Sequence, residues 1–585
     1  MEVIKTLGSY IKEFKKVSIL TPLCMIGEVV VEMLIPFLMA SIIDNGVEKG
    51  DLKHIVFVGV CMLFCALLGL YFGVMGGKLG ARASAGLAKN LREAMFENIQ
   101  TFSFSNIDRF STASLVTRLT TDVTNVQMAF QMILRMFTRS PFSLIIAMIF
   151  AFTINARLAF IYLIAVVILG FLLVLIMMKA TKYFQAAFPK YDDLNESIQE
   201  NVTGIRVVKA FVREDMETQK LQKASGNIYR LFVRAEKIIT YNMPLMQLTV
   251  YACILLISWF GAKMIVVDQL TTGELMSLLA YCMNILMSLM MMSMVFVMVS
   301  MSEASARRIC EVLSETSDLK NPEDPCYEVA DGSISYEHVY FSYHKTGEKP
   351  VLQDINLKIR SGETIGVIGG TGSAKTSLVN MLSRLYDVDD GSVKVGGKDV
   401  REYDMEALRN QVSVVLQKNV LFSGTILDNL RWGNKEATFE ECQRACRLAC
   451  ADDFIEAMPR GYDTFVSQGG TNVSGGQKQR ICIARALLKK PKILVLDDST
   501  SAVDTATDAR IRRAFREEIP DTTKIIIAQR ISSVQDADRI IVMDDGCINA
   551  FDTHENLLKT NEIYREVYES QTQGGGDFDE NGGEL

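Results

Sequence analysis

Six long apolar segments, separated by polar stretches, dominate the first half of the chain. They lie at roughly 17–43, 54–76, 138–156, 158–179, 243–267 and 274–299. Several reach the ~20 apolar residues that an α-helix needs to cross a bilayer. The pattern therefore predicts six transmembrane helices. Their connections are short, except for two long polar helical stretches at roughly 80–130 and 181–238.

The second half of the chain follows a different pattern, in which short β-rich runs alternate with helical ones. The runs are ETIGVIG, VSVVLQ, KILVLD, KIIIAQ and RIIVMD. This alternation is typical of an α/β domain with a mainly parallel sheet. The domains predicted are a transmembrane domain with long intracellular loops at 1–305, a polar linker at 306–332, the α/β domain at 333–570 and a Gly-rich, acidic, disordered tail at 571–585.

Composition supports a membrane protein of more than one domain. The chain has 585 residues, of which 49% are hydrophobic, and its net charge of -7 argues against a nucleic-acid partner. Its twelve cysteines include no CxxC pair. Cys442, Cys446 and Cys450 share one helix face, which indicates a buried apolar face, with metal binding as the alternative.

An even number of crossings places both termini and both polar excursions on the same side of the membrane. Lys and Arg are frequent in these excursions, as in KNLR and IRVVKAFVRED. The positive-inside tendency makes this side cytoplasmic. We therefore expect a multi-pass protein of the cell membrane, surrounded by lipid, with its termini and its α/β domain in the cytoplasm. At ~1.5 Å per residue, the excursions are long enough to reach that domain.

The segment VIGGTGSAKTSL follows a strand and nearly matches the phosphate-loop pattern G-x-x-x-x-G-K-[ST]. Lys375 and Thr376 supply the lysine for phosphate oxygens and the hydroxyl for Mg²⁺. Ala374 stands where the pattern has its second glycine, which is tolerable if the local φ is negative. The predicted ATP-binding residues of the loop are Gly369, Gly370, Thr371, Gly372, Ser373, Ala374, Lys375, Thr376 and Ser377.

Two further motifs follow the phosphate loop. NVSGGQKQR contains Val473, Ser474, Gly475, Gly476 and Gln477. ILVLDDSTSAVD then places Asp497 at the end of an apolar run, where an aspartate can hold Mg²⁺ through water. With NVSGGQ close to the signature LSGGQ, the chain resembles an ABC transporter of the exporter type, multidrug-like, over roughly 15–570.

The resemblance implies a role for each matching residue. Tyr343 would stack on adenine, and Gln417 would sense Mg²⁺ and contact the membrane domain. ATP and Mg²⁺ are the implied cofactors, with Thr376, Gln417 and Asp497 at the metal. The signature, Val473–Gln477, would act on a partner's ATP, and the D-loop matches Ser501, Ala502, Val503 and Asp504.

Two positions depart from the family pattern. Asp498 stands in place of the catalytic glutamate and Gln529 in place of the switch histidine. Aspartate is one methylene shorter, and loss of a general base typically costs 10²–10⁴ in rate. Glutamine cannot carry the charge or shuttle the proton of histidine. We expect a site that binds ATP and hydrolyses it slowly.

The intact signature then favours a heterodimer, in which this half-transporter completes the hydrolytic site of a second, similar chain. The resemblance is therefore to the degenerate-site half of a bacterial heterodimeric exporter. Two alternatives remain open: a homodimeric active exporter, and a nucleotide-gated regulatory subunit that does not pump. The substrate is open among hydrophobic small molecules, lipids and peptides.

Two loops and four charges complete the predicted transport machinery. FSNIDRFSTASLVTRLTTDV at 104–123 and ESIQENVTGIRVVKAFVREDMETQK at 196–220 resemble the intracellular loops of ABC exporters. Charges inside apolar segments are costly and usually face a partner or a cavity. We expect ion pairs across two helices, with substrate contact as the alternative, for Glu28, Glu32, Arg135 and Arg139. The methionines of 283–301 suit either packing or an adaptable substrate wall.

Overall fold

The computed structural model describes residues 2–343, 349–499 and 501–573, and the chain divides into two compact units. The first, here the membrane unit, comprises Met1–Thr101 and Phe110–Thr316. The second, the ATPase unit, comprises Phe102–Arg109 and the chain from Ser317 onward. The division falls later than the predicted start of the linker at 306, because the preceding helix continues to Ser314.

Long helices make up the described part of the membrane unit. They are α1 (Glu2–Ser9), α2 (Lys15–Ser41), α3 (Leu52–Gln100), α4 (Phe104–Phe110, shared with the ATPase unit), α5 (Thr112–Thr117), α6 (Val123–Met132), α7 (Thr138–Ile154), α8 (Ala156–Thr203), α9 (Ile205–Ala210), α10 (Glu214–Ile239), α11 (Asn242–Val266) and α12 (Thr272–Ser314). Wider π-helical turns at Ile42–Val47, Arg118–Asp122 and Ile133–Phe137 follow α2, α5 and α6.

Among the residues that the structure describes, six helical stretches are long and apolar enough to cross a membrane, which confirms the predicted fold class of this half. They are Lys12–Val47, Leu52–Gln100, Thr112–Ile154, Ala156–Tyr183, Glu214–Val266 and Thr272–Ser314. Helix α3 alone has 49 residues, which correspond to roughly 70 Å at 1.5 Å per residue. It therefore extends well beyond the ~30 Å apolar layer into the first polar excursion.

Side-chain caps and buried tyrosines explain where these helices begin and how they pack. Asn155 has an extended backbone that separates α7 from α8, and its side chain accepts hydrogen bonds from two backbone amides in the first turn of α8. Thr271 and Glu274 form a capping box at the start of α12. The buried Tyr162 and Tyr281 donate to the carbonyls of Leu278 and Met33, at 2.7 and 2.8 Å, so their hydroxyls are satisfied inside an apolar bundle.

The described residues of the ATPase unit form two main sheets. The strands are β1 (Ile334–Phe341), β2 (Leu352–Ile359), β3 (Thr364–Gly369), β4 (Asp390–Val395), β5 (Lys398–Asp399), β6 (Val412–Val415), β7 (Gly424–Thr425), β8 (Phe465–Val466), β9 (Ile493–Asp497), β10 (Thr523–Ile527), β11 (Arg539–Asp544) and β12 (Cys547–Asp552). The larger sheet has the order β12-β11-β3-β10-β9-β6, the antiparallel sheet the order β2-β1-β4-β5, and β7 pairs with β8.

All five β-rich runs quoted above lie in the larger sheet, where they form parallel pairs. Every residue of β9 and β10 is buried, as expected for central parallel strands. The predicted α/β class is confirmed, but the sheets are mixed. The antiparallel four-stranded sheet was not predicted, because alternation within a strand does not specify its pairing partner.

Helices of the ATPase unit cover these sheets. They are α13 (Lys375–Asn380), α14 (Met405–Gln411), α15 (Ile426–Arg431), α16 (Phe439–Leu448), α17 (Asp452–Glu456), α18 (Gly475–Leu487), α19 (Thr505–Glu518), α20 (His554–Thr560) and α21 (Glu562–Gln573). Cys442, Cys446 and Cys450 belong to the buried core, as expected. Only Cys442 and Cys446 share a face of α16, because the helix ends at Leu448 and Cys450 follows it with a positive φ of 49°. Helix α21 extends to Gln573, past the predicted start of the tail at 571, and 574–585 lie outside the described residues.

Candidate nucleotide site and membrane charges

Parallel pairing brings the predicted site residues to one edge of the larger sheet. The registers place Ile527 opposite Asp497 on one side and opposite Val367 on the other. The carboxyl ends of β3, β9 and β10 therefore lie side by side. The segments that leave these strands carry the phosphate loop, Asp498 and Gln529, respectively. Residues more than a hundred positions apart in sequence thus meet at one location.

The phosphate loop adopts a left-handed conformation at Ala374, with φ 69° and ψ 23°. The condition under which an alanine was expected to be tolerated, a negative φ, is therefore not met. For an L-residue other than glycine this region costs roughly 1–2 kcal/mol. Gly372, also at a positive φ of 85°, adopts its conformation without that cost. The loop keeps its shape and stores strain at one residue.

Lys375 and Thr376 follow the loop at the start of α13. The Lys375 ammonium donates to the carbonyls of Gly369 and Gly370, at 2.9 and 2.8 Å. The Thr376 hydroxyl donates to Asp497 Oδ2 at 2.9 Å. The hydroxyl and the carboxylate that were predicted to serve a metal ion thus lie in direct contact.

The carboxylate of Asp497 is buried at the end of β9 with 2% of its surface exposed. Burial raises the pKa of this carboxyl, the neighbouring Asp498 adds to the rise, and the hydrogen bond from Thr376 and the charge of Lys375 oppose it. Burial lowers the pKa of Lys375. Burial therefore disfavours the charged forms of both Asp497 and Lys375. A charged ligand bound between these two side chains would reduce this desolvation cost.

Two glutamine amides converge on Asp498. Gln529 Nε2 donates to Asp498 Oδ2 at 2.9 Å, and Gln417 Nε2 approaches the same oxygen at 3.4 Å. The backbone of Asp498 is left-handed, with φ 48°, and its N–H donates to the carbonyl of Ile527 at 3.0 Å. Oδ2 of Asp498 thus accepts hydrogen bonds from the side-chain amides of two other loops.

A third glutamine holds the loop that carries Gln529. The side chain of Gln571, near the end of α21, donates to the carbonyl of Gln529 and accepts from the N–H of Ile531, both at 2.9 Å. These two bonds bracket the loop on both sides of Arg530. Gln571 therefore positions Gln529, which in turn positions Asp498. Gln571 was not predicted from the sequence, because no motif near it marks a site.

The adenine-side aromatic residue belongs to a cluster of rings. Tyr343 is 42% exposed, and its hydroxyl shares a 2.9 Å hydrogen bond with Ser377 Oγ of α13. Its ring meets that of Tyr386 edge-on, with centroids 5.2 Å apart. The Tyr386 hydroxyl donates to Asp108 Oδ2 at 2.7 Å, and Asp108 lies in the first predicted intracellular loop. Burial, reinforced by the bond to Asp108, raises the pKa of Tyr386.

The signature segment forms the start of α18. Ser474 and Gln477 make a reciprocal capping box, in which Ser474 Oγ accepts from the Gln477 N–H at 3.3 Å and Gln477 Oε1 accepts from the Ser474 N–H at 3.0 Å. Ser474 and Gly475 are exposed. A Cβ at Gly476 would lie 2.7 Å from the carbonyl oxygen of Ala502, so the glycine permits close packing on the D-loop.

The D-loop is tied to α18 by a residue that sequence analysis also missed. Gln479 Oε1 accepts from the N–H of Ala502 at 3.1 Å, and its Nε2 donates to Ser501 Oγ at 3.3 Å. Val503 is buried, and Asp504 caps α19 by accepting from Thr507. Its place in the run GGQKQR, two residues after Gln477, was the available signal for Gln479. The signature and D-loop thus form one hydrogen-bonded surface.

The membrane unit shows one of the two expected sets of ion pairs. Arg139 of α7 donates to Glu28 Oε1 at 3.1 Å and to Glu32 Oε2 at 2.7 Å, both on α2. Arg135, one turn earlier, contacts neither carboxylate through a hydrogen bond. Pairing between these helices is therefore observed, but only one arginine makes it.

Comparisons with known proteins agree with the organisation of the chain, in which membrane-spanning helices precede an α/β unit. Residues 18–294 match the model of the ABC transporter transmembrane region, and residues 352–501 match the ABC transporter model. The chain is 35% identical over 563 residues to the uncharacterized ABC transporter ATP-binding protein YfiB of Bacillus subtilis, a match that covers 96% of this chain and 98% of the relative. This chain belongs to the ABC transporter family.

Two further comparisons describe this ABC transporter. It is 31% identical to the probable multidrug resistance ABC transporter ATP-binding/permease protein YheI of Bacillus subtilis, over 97% of each chain. A solved structure of a bacterial Atm1-family ABC exporter with ATP bound shares its fold, with a TM-score of 0.82 over 96% of this chain and 99% of that one. The sequence identity in that comparison is 23%, so the likeness concerns the fold.

The ATPase region of an ABC transporter binds ATP, normally with Mg²⁺, and the residues present fit both. Oxygen ligands suit Mg²⁺, and the hydroxyl of Thr376 beside the buried carboxylate of Asp497 supplies two of them. When bound, the metal would neutralise phosphate charge. The loop at 369–374 and Lys375 would hold the phosphates themselves. The individual role of each predicted site residue stays a prediction.

Proposed function

We propose that this ABC transporter is one half of an ATP-driven exporter, whose own phosphate-loop site hydrolyses ATP slowly while its signature completes the faster site of a second, similar chain. One observation carries the proposal. The carboxylate at the catalytic position is the shorter Asp498, and amides of Gln529 and Gln417 already occupy its Oδ2. A general base must reach its water within about 2.6–3.2 Å, directly or through one water.

The chemistry of the chain's own residues supports a slow site. The amide of Gln529 lies 2.9 Å and that of Gln417 3.4 Å from Asp498 Oδ2, so this oxygen is already hydrogen-bonded where a general base would need it to reach water. Gln529 can donate a hydrogen bond to a phosphate, but it has no proton to exchange near neutral pH. Binding and orientation therefore remain available here, while proton removal from water is impaired.

Exposed apolar groups support a dimer. Helix α9 and the turn after it expose Val207, Phe211 and Val212 at 60%, 72% and 79%. In the ATPase unit, Phe422 and Trp432 stack with centroids 4.1 Å apart and remain 45% and 61% exposed. We propose that α9 of each chain docks on the Phe422–Trp432 surface of the other chain. Helix α9 belongs to the segment 196–220, which resembles an intracellular loop of ABC exporters.

The orientation and the substrate belong to the same proposal. The Lys and Arg residues of the helical excursions favour a protein of the cell membrane whose ATPase unit lies on the cytoplasmic side. The likeness to YheI, a probable multidrug resistance protein, favours a hydrophobic small-molecule substrate, with lipids and peptides as the other classes. ATP-dependent movement of such a substrate into proteoliposomes tests export directly. A nucleotide-gated regulator would move none.

Two substitutions in the purified complex test the division of labour. Asp498→Asn removes the charge of a carboxylate that, under this proposal, contributes little to ATP hydrolysis. The ATPase activity of the complex should therefore change by less than about threefold. Ser474→Arg places a long cation at the exposed signature and should reduce activity by about a hundredfold or more, the scale for loss of transition-state stabilisation. Nucleotide binding, measured separately, controls for folding of both variants.

An active homodimer is the second candidate, because one chain carries both a phosphate loop and a signature. In that case Asp498→Asn would reduce activity as severely as Ser474→Arg. Purification of the tagged chain from its own membranes provides the second criterion. A heterodimer should yield an equal amount of a similar chain that has glutamate and histidine at the positions of Asp498 and Gln529. A complex of this chain alone with fast turnover contradicts the proposal.

A further inference from the structure

Glu28, Glu32, Arg135 and Arg139 are charged side chains of neighbouring membrane-spanning helices, and their hydrogen-bonding needs are not equally satisfied. Arg139 bridges Glu28 and Glu32, whose side chains are 18% and 38% exposed. A guanidinium with two carboxylate partners, one on each side, is a complete local arrangement. Both acidic groups are therefore committed to Arg139, although Arg135 lies one helical turn away.

Arg135 makes no hydrogen bond or ion pair with any residue that the structure describes, and its Nε is fully buried. A buried, unpartnered guanidinium nitrogen is costly in a low-dielectric environment. Charged residues inside membrane segments usually face a partner or a water-filled cavity. A partner is therefore expected for Arg135 from outside the described residues.

The backbone around Arg135 is built to accommodate this side chain. It lies in the π-helical turn Ile133–Phe137, a feature that frequently marks functional sites in helices. Its stem packs against Gly80 of α3, where an added Cβ would lie 3.1 Å from Arg135 Cδ, and its Nη2 passes Gly77. Glycines at these two positions leave room along α3 for an extended arginine.

We propose that Arg135 binds the anionic group, a carboxylate or a phosphate, of an amphipathic molecule within the helix bundle. The planar guanidinium fork matches both groups with two parallel hydrogen bonds. The anion comes either from the transported molecule or from the headgroup of a membrane lipid. The first source deepens the proposed export function by restricting the substrate to acidic amphiphiles, and it rests on that function.

Binding of a fluorescent polyene fatty acid to the full chain in nanodiscs of neutral phosphatidylcholine tests the proposal. Arg135→Gln should weaken binding by about tenfold or more, the scale of one charge-assisted hydrogen bond. Arg135→Lys should retain part of the affinity, and the alcohol of the same chain length should bind all variants equally. Lys78→Gln, which neutralises an exposed cation of α3, is the matched control and should bind like the unaltered chain.

A second arm distinguishes the two sources of the anion. In nanodiscs that contain phosphatidylglycerol, native mass spectrometry counts the anionic lipid retained by each variant. Retention by the unaltered chain and loss in Arg135→Gln, together with suppressed fatty-acid binding, assigns the site to a lipid headgroup. Fatty-acid binding that persists in phosphatidylglycerol assigns it to a soluble amphiphile. Both results support an anion site at Arg135.

Equal fatty-acid binding and equal lipid retention in Arg135→Gln, Lys78→Gln and the unaltered chain would overturn the proposal. A second result would also overturn the proposal. If fatty-acid binding lost in Arg135→Gln is restored by adding Glu28→Gln, then Arg135 acts only by pairing with Glu28. Arg135→Lys keeps the test valid if the glutamine variant does not fold. The assay requires no ATP hydrolysis, so its failure is separable from failure of the proposed division between two ATP sites.

Discussion

The two halves of the nucleotide machinery in the ATPase unit differ in how well their local geometry suits catalysis. The phosphate-loop half has a strained Ala374 and an Asp498 held by Gln529. The signature half has a complete capping box at Ser474 and a D-loop tied in by Gln479. Strain and substitution are thus concentrated on one side. A chain whose signature serves another subunit's site can tolerate the loss of its own base, which is why we favour a heterodimer.

Placing glutamate and histidine in the phosphate-loop half should have the largest effect on the difference between the two halves. The double change Asp498→Glu with Gln529→His extends the carboxylate by one methylene and frees it from the amide. We expect the turnover assigned to this site to rise by about tenfold to a hundredfold, the low end of the range for a general base. Steady-state ATPase with the partner's site inactivated measures it, with Gln529→Ala alone as the control. An unchanged rate would show that geometry at Asp498 is not what limits hydrolysis.

The buried carboxylate of Asp497 should limit the stability of the nucleotide-free protein. Its pKa is raised chiefly by burial, so ionisation is more costly in the folded than in the unfolded state. Asp497→Asn should therefore raise the unfolding temperature near neutral pH by several degrees, corresponding to about 1–3 kcal/mol. It should also abolish Mg²⁺-dependent nucleotide binding.

The sign of the pH dependence follows from the raised pKa of Asp497. As pH falls through that value, the native carboxyl becomes neutral and the destabilisation of the unaltered chain disappears. The stability gap between the unaltered chain and Asp497→Asn should consequently narrow toward acidic pH. Thermal unfolding at a series of pH values measures it. A gap that widens on acidification would mean that Thr376 and Lys375, rather than burial, dominate this site.

Relief of strain at Ala374 should have a smaller effect. Glycine adopts φ 69° without the Cβ clash, so Ala374→Gly should stabilise the ATPase unit by about 1 kcal/mol, after the entropic cost of glycine in the unfolded chain is subtracted. Chemical denaturation measures the change. The matched control, Ala484→Gly within α18, should destabilise the unit, because its backbone is helical. Destabilisation by both would show that Ala374 is not strained.

The smallest expected effect concerns Gln571. Gln571→Met keeps the length of the side chain but removes both bonds to the Gln529–Ile531 loop, each worth about 0.5–1.5 kcal/mol. Amide exchange at Ile531 should accelerate by roughly tenfold or less, with global stability nearly unchanged. Gln573→Met, two residues along the same helix, is the control. Equal exchange in the two variants would contradict a positioning role.

The membrane helices and the strands of the larger sheet were predictable, because each signal is local. A segment such as 54–76 is apolar over a length that a bilayer requires, and ILVLD is apolar over the length of a buried strand. The phosphate loop, signature and D-loop were predicted in the same way, from adjacent residues. The antiparallel β2-β1-β4-β5 sheet was not found, since pairing depends on segments far apart in the chain.

By itself, the sequence determined which chemical groups this transporter has: an aspartate where a glutamate was expected, a glutamine where a histidine was expected, and two arginines four residues apart. The tertiary structure decided what those groups contact. It set the backbone of Ala374 left-handed and brought the amides of Gln529 and Gln417 to Asp498. It also bonded Gln571 to the loop that carries Gln529, and it paired both Glu28 and Glu32 with Arg139. The physical reason is that hydrogen bonds and ion pairs act over about 3 Å, and only folding brings residues from distant segments within that distance.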